Sequence, residues 1–176
     1  MGVDYSAYIV YGYIIPDYLQ KAANHLQEAA EEYCSDEGLA YGDEGHIYLE
    51  SEEDAVCFLL QFLQEYQNPC FVERLKANET WEEEDYDNLF DFYRRTPDRD
   101  SIAGEITEFG AGSYGGDATY TFGRCLCYID LDYISTTDVF KIPTRESDPE
   151  LFETFDLLKT LFGFGEPELI TGGRIS

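Results

Sequence analysis

Residues 3–15 are apolar or aromatic at both odd and even positions: Tyr5, Ala7, Ile9, Tyr11 and Tyr13 against Tyr8, Val10, Gly12 and Ile14. A strand with one solvated face alternates, so this pattern predicts a strand covered on both faces and central in its sheet. From Pro16 the period changes. Leu19, Ala22, Ala23, Leu26, Ala29, Ala30 and Tyr33 recur at helical spacing, while Gln20, Asn24, Gln27, Glu28, Glu31 and Glu32 fall elsewhere on the cylinder. Pro16 opens this helix, where a missing N–H is harmless, and Gly38 is its expected stop.

A short strand is expected at His46–Glu50. Ser51 and Asp54 have the spacing of a capping box and predict a second helix. Its stripe is Ala55, Leu59, Phe62, Leu63 and Tyr66, broadened by Phe58 and Leu60, and Pro69 is its expected end. Thr80 and Glu83 predict a third helix with Tyr86, Leu89, Phe90 and Tyr93 inward. Arg94 and Arg95 in its last turn complement the helix dipole, and Pro97 closes the segment.

Over 102–134 helical periodicity disappears and Gly, Thr and Tyr take over. Strands are expected near 104–109, 117–122 and 124–133, joined by the glycine-rich turn Gly110–Gly116, with Gly123 as a bulge and a further short strand near Val139–Ile142. Asp148 and Pro149 predict a last helix with the stripe Leu151, Phe155, Leu158 and Phe162, stopped by Gly163 and Gly165. The tail to Ser176 is expected to be loose. No linker or internal repeat interrupts the chain. The expectation is one α+β domain spanning 1–176, with a mainly antiparallel sheet and about four helices packed on it.

Charge changes this picture. The chain has 176 residues, with 37 acids against 11 bases and a formal net charge of -26, yet 44% of it is apolar, which argues against disorder. The opening segment lacks a basic region and is expected to be a strand rather than a signal peptide. No run of about 20 apolar residues predicts a membrane span. Direct binding to nucleic acid or to an anionic membrane is disfavoured, because the phosphates would be repelled. The five cysteines, Cys34, Cys57, Cys70, Cys125 and Cys127, are expected to be reduced thiols, mostly buried, in a cytoplasmic protein.

The catalytic motifs fail on context. Gly110-Ala111-Gly112-Ser113-Tyr114-Gly115 matches GxGxxG, but strand-like residues follow where a dinucleotide fold needs a helix. The segment resembles the glycine-rich loop of protein kinases over about a dozen residues, without the VAIK lysine, HRD or DFG that complete that family's pattern. Asp130-Leu131-Asp132 puts Asp130 and Asp132 on one face of a strand, as a divalent metal would need; solvated strand acids explain them more simply. Cys125 and Cys127 share a strand face on the same count, without the further ligands of a zinc site, and His25 and His46 stand alone. No cofactor is expected.

The strongest feature is the distribution of acids. Between Lys21 and Arg74 there is no Lys or Arg, while Glu28, Glu31, Glu32, Asp36, Glu37, Asp43, Glu44, Glu52 and Glu53 fall there. A second cluster holds Glu82, Glu83, Glu84 and Asp85. Like charges one helical turn apart destabilise the helix that carries them. A row of carboxylates can imitate backbone phosphates and attract the Lys/Arg groove of a nuclease or another nucleic-acid-binding protein. Tyr33, Tyr41, Tyr48, Trp81 and Tyr86 are the expected aromatic anchors beside these acids. In size, charge and aromatic content the chain resembles the acidic inhibitors of phages and mobile elements: DNA mimics, anti-restriction and anti-CRISPR proteins, and immunity proteins of nuclease toxins. It shares no motif with them. The expectation is a non-catalytic binding protein, with a metal-dependent enzyme using Asp130 and Asp132, or an assembly protein, as alternatives.

Overall fold

Strand β1 (Tyr5–Ile14) lies inside a four-stranded antiparallel sheet of order β2-β3-β1-β4, with β2 (Glu105–Phe109), β3 (Thr119–Asp130) and β4 (Glu168–Ile175). Its apolar residues on both faces suit that interior place. The computed structural model describes residues 5–36, 38, 49, 52–95, 103–109, 119–130 and 140–175. Residues 1–15 with 103–176 make one compact unit, and residues 16–102 make a second. The architecture is α+β, with five helices and one antiparallel sheet among the described residues.

In the sheet unit, Asp148 precedes Pro149 at the start of helix α5 (Pro149–Phe162), and Gly163 ends it in the left-handed region at φ 72°. Leu151, Phe155, Leu158 and Phe162 are buried as their spacing predicts, each contributing about 2 kcal/mol. Phe155 packs edge-on against Tyr13, with ring centres 5.1 Å apart, and also meets Tyr11 and Phe122. Arg124 on β3 holds Asp148 at 2.7 Å, which fixes the start of α5.

Five local expectations change in this unit. Gly123 does not carry the bulge. Ile9 pairs with Cys127 and Val10 with Cys125, so Leu126 is the extra residue. The bulge shifts the alternation, and the register therefore puts Cys125 and Cys127 on opposite faces of the sheet. Gly123 instead faces Gly12 where the two backbones come close. Because of this pairing, β3 runs unbroken where two strands were expected. The tail is not loose: β4 pairs with β1 from Tyr5↔Ile175 to Gly12↔Glu168. Phe140–Ile142 belongs to no strand, and both Phe140 and Ile142 are exposed. The two outer strands also approach each other: the Phe109 ring on β2 occupies the space a side chain at Gly172 on β4 would need.

The second unit is helical. It comprises α1 (Asp17–Asp36), α2 (Glu52–Glu65), α3 (Pro69–Ala77) and α4 (Glu83–Arg95). Buried Ala22, Ala23 and Ala30 on α1 let neighbouring helices approach closely. From Ala55 to Leu63 on α2, every residue except Cys57 is buried. Helix α3 was not expected. Pro69 both follows α2 and opens α3, because the Asn68 side chain accepts from the Cys70 and Phe71 N–H groups. Helix α4 begins later than the Thr80–Glu83 pattern predicts. The acid that reaches back over its first turn is Asp85, which accepts the Glu82 N–H at 2.9 Å. Its inward residues are Leu89 and Phe92, while Tyr86, Phe90 and Tyr93 are half-buried.

All five cysteines are free, and burial is less general than expected: Cys34 is buried, Cys57, Cys125 and Cys127 are half-buried, and Cys70 is exposed. No helix among the described residues is long and apolar enough to cross a membrane.

Candidate functional site

Helix α1 turns Leu19, Ala22, Ala23, Leu26, Ala30 and Cys34 inward, which leaves Glu28, Glu31, Glu32 and Asp36 on its exposed side. Glu28, Glu32 and Asp36 follow one another at one-turn spacing, and the last turn holds no basic residue to offset the dipole. Both features destabilise the isolated helix, so packing of the buried stripe must hold it.

Helix α4 supplies the facing wall. A groove of about 310 Å³ is lined by His25, Glu28, Ala29, Glu32, Tyr33 and Asp36 from α1 and by Tyr86 and Phe90 from α4. Its aromatic side is a connected ladder. Phe90 stacks on Tyr33 with ring centres 4.4 Å apart and lies 6.3 Å from Tyr86, which meets Trp81 at 5.4 Å. His25 approaches Trp81 edge-on at 5.1 Å, and its Nε2 shares a 2.6 Å hydrogen bond with the Tyr86 hydroxyl. At the other end the Arg94 guanidinium lies over the Tyr33 ring and donates to its hydroxyl. Burial, with the charges of Asp85 and Glu32 adding to it, pushes the Tyr86 hydroxyl above its ordinary value. The groove therefore combines aromatic surface with negative potential.

Four cations of this unit pair with other acids. Arg74 pairs with Asp85 and Glu82, Lys76 with Glu73, Arg94 with Asp91, and Arg95 with Glu65. Among the described residues, no ion pair involves Glu28, Glu31, Glu32 or Asp36. A second hollow of about 250 Å³, lined in part by Tyr18, Lys21, His25, Glu79 and Trp81, mixes both signs of charge.

The structure sorts the residues singled out from the sequence. Glu28, Glu32, Tyr33 and Asp36 come together in the groove, while Glu31 is exposed on α1 outside its lining. Glu82, Glu83 and Glu84 are exposed around the start of α4. Trp81 and Asp85 are more buried than the other residues singled out for the site that the structure describes. Trp81 is only 7% exposed, packed edge-on against Phe71, and Asp85 is only 5% exposed, bonded to Arg74. Both therefore present little of their own surface to a partner. Glu37, Tyr41, Asp43, Glu44, Tyr48 and Asp132 lie outside the described residues, as do the side chains of Glu52, Glu53 and Asp130. The glycine-rich turn and His46 lie outside them too. Among the described residues, no group of three or more His, Cys, Asp or Glu could hold a metal ion.

Tyr86, an expected anchor, lines the groove, whereas His25 and Phe90 were not assigned to the site from the sequence. The signal was present: positions 25, 28, 29, 32, 33 and 36 form one helical stripe, and 86 and 90 stand one turn apart. What the sequence could not supply was the pairing of α1 with α4. A scan against protein-family models finds no match, and neither the curated proteins nor the solved structures return one.

Proposed function

We propose that the protein is a non-catalytic binding protein whose acidic helical unit engages the basic, nucleic-acid-binding surface of a partner protein and blocks it. The observation that carries this reading is the α1–α4 groove, where Glu28, Glu32 and Asp36 stand beside the Tyr33–Phe90–Tyr86 ladder. Carboxylates with no ion pair among the described residues keep their field for a partner, and half-buried rings add contact area at little entropic cost. A net charge of -26 steers a basic protein toward this face and repels nucleic acid itself. The action fits a DNA mimic or anti-defence protein of a virus or mobile element, or a toxin-immunity protein. The five free thiols support a reducing, cytoplasmic setting.

The test is competition. A protein captured from the native host at about 0.1 M salt is mixed with its labelled nucleic acid. The proposal expects this chain to displace the nucleic acid, and expects Glu28→Gln/Glu32→Gln/Asp36→Gln to do so poorly. A captured partner that keeps its nucleic acid bound in the presence of excess chain refutes the proposal.

A further inference from the structure

Four of the described arginines share one arrangement, whereas Arg124 pairs with Asp148 with no ring among the described cation–ring contacts. Arg74 lies 5.9 Å from the Phe71 ring centre and pairs with Asp85 and Glu82. Arg94 lies 5.5 Å from Tyr33 and pairs with Asp91, and Arg95 lies 5.9 Å from Tyr66 and pairs with Glu65. Arg145 lies 5.4 Å from Phe152 and pairs with Asp156. In each case the guanidinium carbon lies within 5.9 Å of a ring centre and a guanidinium nitrogen lies within 3.9 Å of a carboxylate oxygen. The ion pairs Lys76–Glu73 and Lys159–Glu166 involve no ring among the described cation–ring contacts. The physical reason is general: a guanidinium is planar and weakly hydrated, whereas an ammonium is a compact, strongly hydrated charge.

The α1–α4 groove repeats this ring-and-acid pairing, and among the described residues no Lys or Arg lines it. We infer that the groove receives an arginine side chain of the basic partner, with Tyr86 and Phe90 as the ring surface and Glu28 and Glu32 as the acids. The inference rests on the proposed binding of a basic partner and adds the side chain which that binding selects. Charge complementarity sets the sign of the occupant, and the aromatic wall sets its shape. Arg94, seated on Tyr33 at the end of the same ladder, is the internal precedent.

The probes are decapeptides of arginine and of lysine, which carry equal charge, measured by calorimetry at low salt. The wild-type protein is expected to bind the arginine peptide about tenfold more tightly than the lysine peptide. In Glu28→Gln/Glu32→Gln the preference is expected to shrink to about threefold or less, whereas Glu83→Gln/Glu84→Gln, with the same loss of charge outside the groove, retains it. Tyr86→Leu, with helix content checked by circular dichroism, is expected to behave like the groove pair. Equal affinity for both peptides, or a preference that survives in the groove variants, overturns the arginine inference and leaves the wider binding proposal standing. Failure of both peptides to bind overturns both.

Discussion

Asp85 receives the Arg74 guanidinium on Oδ2, the same oxygen that accepts the backbone N–H of Glu82. One carboxylate in a run of acids thus joins α3 to the start of α4, and it is buried while its neighbours are exposed. Removing one partner of a buried pair strands the other. Asp85→Ala is expected to cost about 3 kcal/mol in denaturant unfolding, against less than about 0.5 for Glu84→Ala. A loss under about 1 kcal/mol at Asp85 would show that the pair is not a structural link.

The groove acids should behave in the opposite way. Glu28, Glu32 and Asp36 repel along one stripe of α1, with no ion pair among the described residues to offset them. Glu28→Gln/Glu32→Gln is expected to raise stability by about 0.3–0.5 kcal/mol per relieved neighbour pair while weakening partner binding. The gain, read from melts at low salt, should shrink as salt screens the repulsion. A variant less stable than wild type at low salt would mean that these carboxylates support the fold.

Gly12 and Gly123 face each other across β1 and β3. A Cβ at Gly12 would lie 2.0 Å from the Phe122 carbonyl oxygen, and one at Gly123 would lie 2.2 Å from that of Tyr11. Neither backbone can retreat without losing its ladder bonds. Gly12→Ala is expected to cost more than about 4 kcal/mol or to prevent folding of the sheet unit, read by circular dichroism and denaturant melts. A variant as stable as the wild type would contradict the pairing.

Two tyrosines should titrate late. Burial, then the charge of Glu166, pushes the Tyr13 hydroxyl to about 12, and burial, then the charge of Glu73, pushes that of Tyr18 to about 12. A raised phenol pKa means that the folded protein holds the proton more tightly. The contribution to stability is therefore whole below the ordinary value of 10.0 and is lost as pH rises through about 12. Absorbance titration should show a late tyrosine component that decreases in Tyr13→Phe and in Tyr18→Phe. Titration of every tyrosine near 10 in the folded protein would contradict it.

The sequence made some of this legible and hid the rest for physical reasons. The central place of β1, the buried stripes of α1, α2 and α5, and the Asp148–Pro149 start depend on nearby residues, so periodicity and capping chemistry expose them. Strand β4 was missed because Gly172 and Gly173 interrupt its pattern and its partner, β1, lies at the far end of the chain. Helix α3 was missed because it is nine residues long and begins at a proline that also reads as a stop. The bulge at Leu126 has no composition signal, since any residue can be the unpaired one. More than half of the groove was legible, since Glu28, Glu32, Tyr33, Asp36 and Tyr86 announce an acidic, aromatic face. The burial of Trp81 and Asp85 was not, because it depends on Phe71 and Arg74 in a helix the pattern did not reveal.

The central claim is that the negative field of the helical unit brings a basic protein onto the α1–α4 groove. The most direct measurement is the association rate of the captured partner between about 0.05 and 0.5 M salt. The account predicts a rate that falls at least about tenfold across that range, starting lower in Glu28→Gln/Glu32→Gln/Asp36→Gln. A rate that stays flat with salt, or one that the groove substitutions leave unchanged, would contradict it.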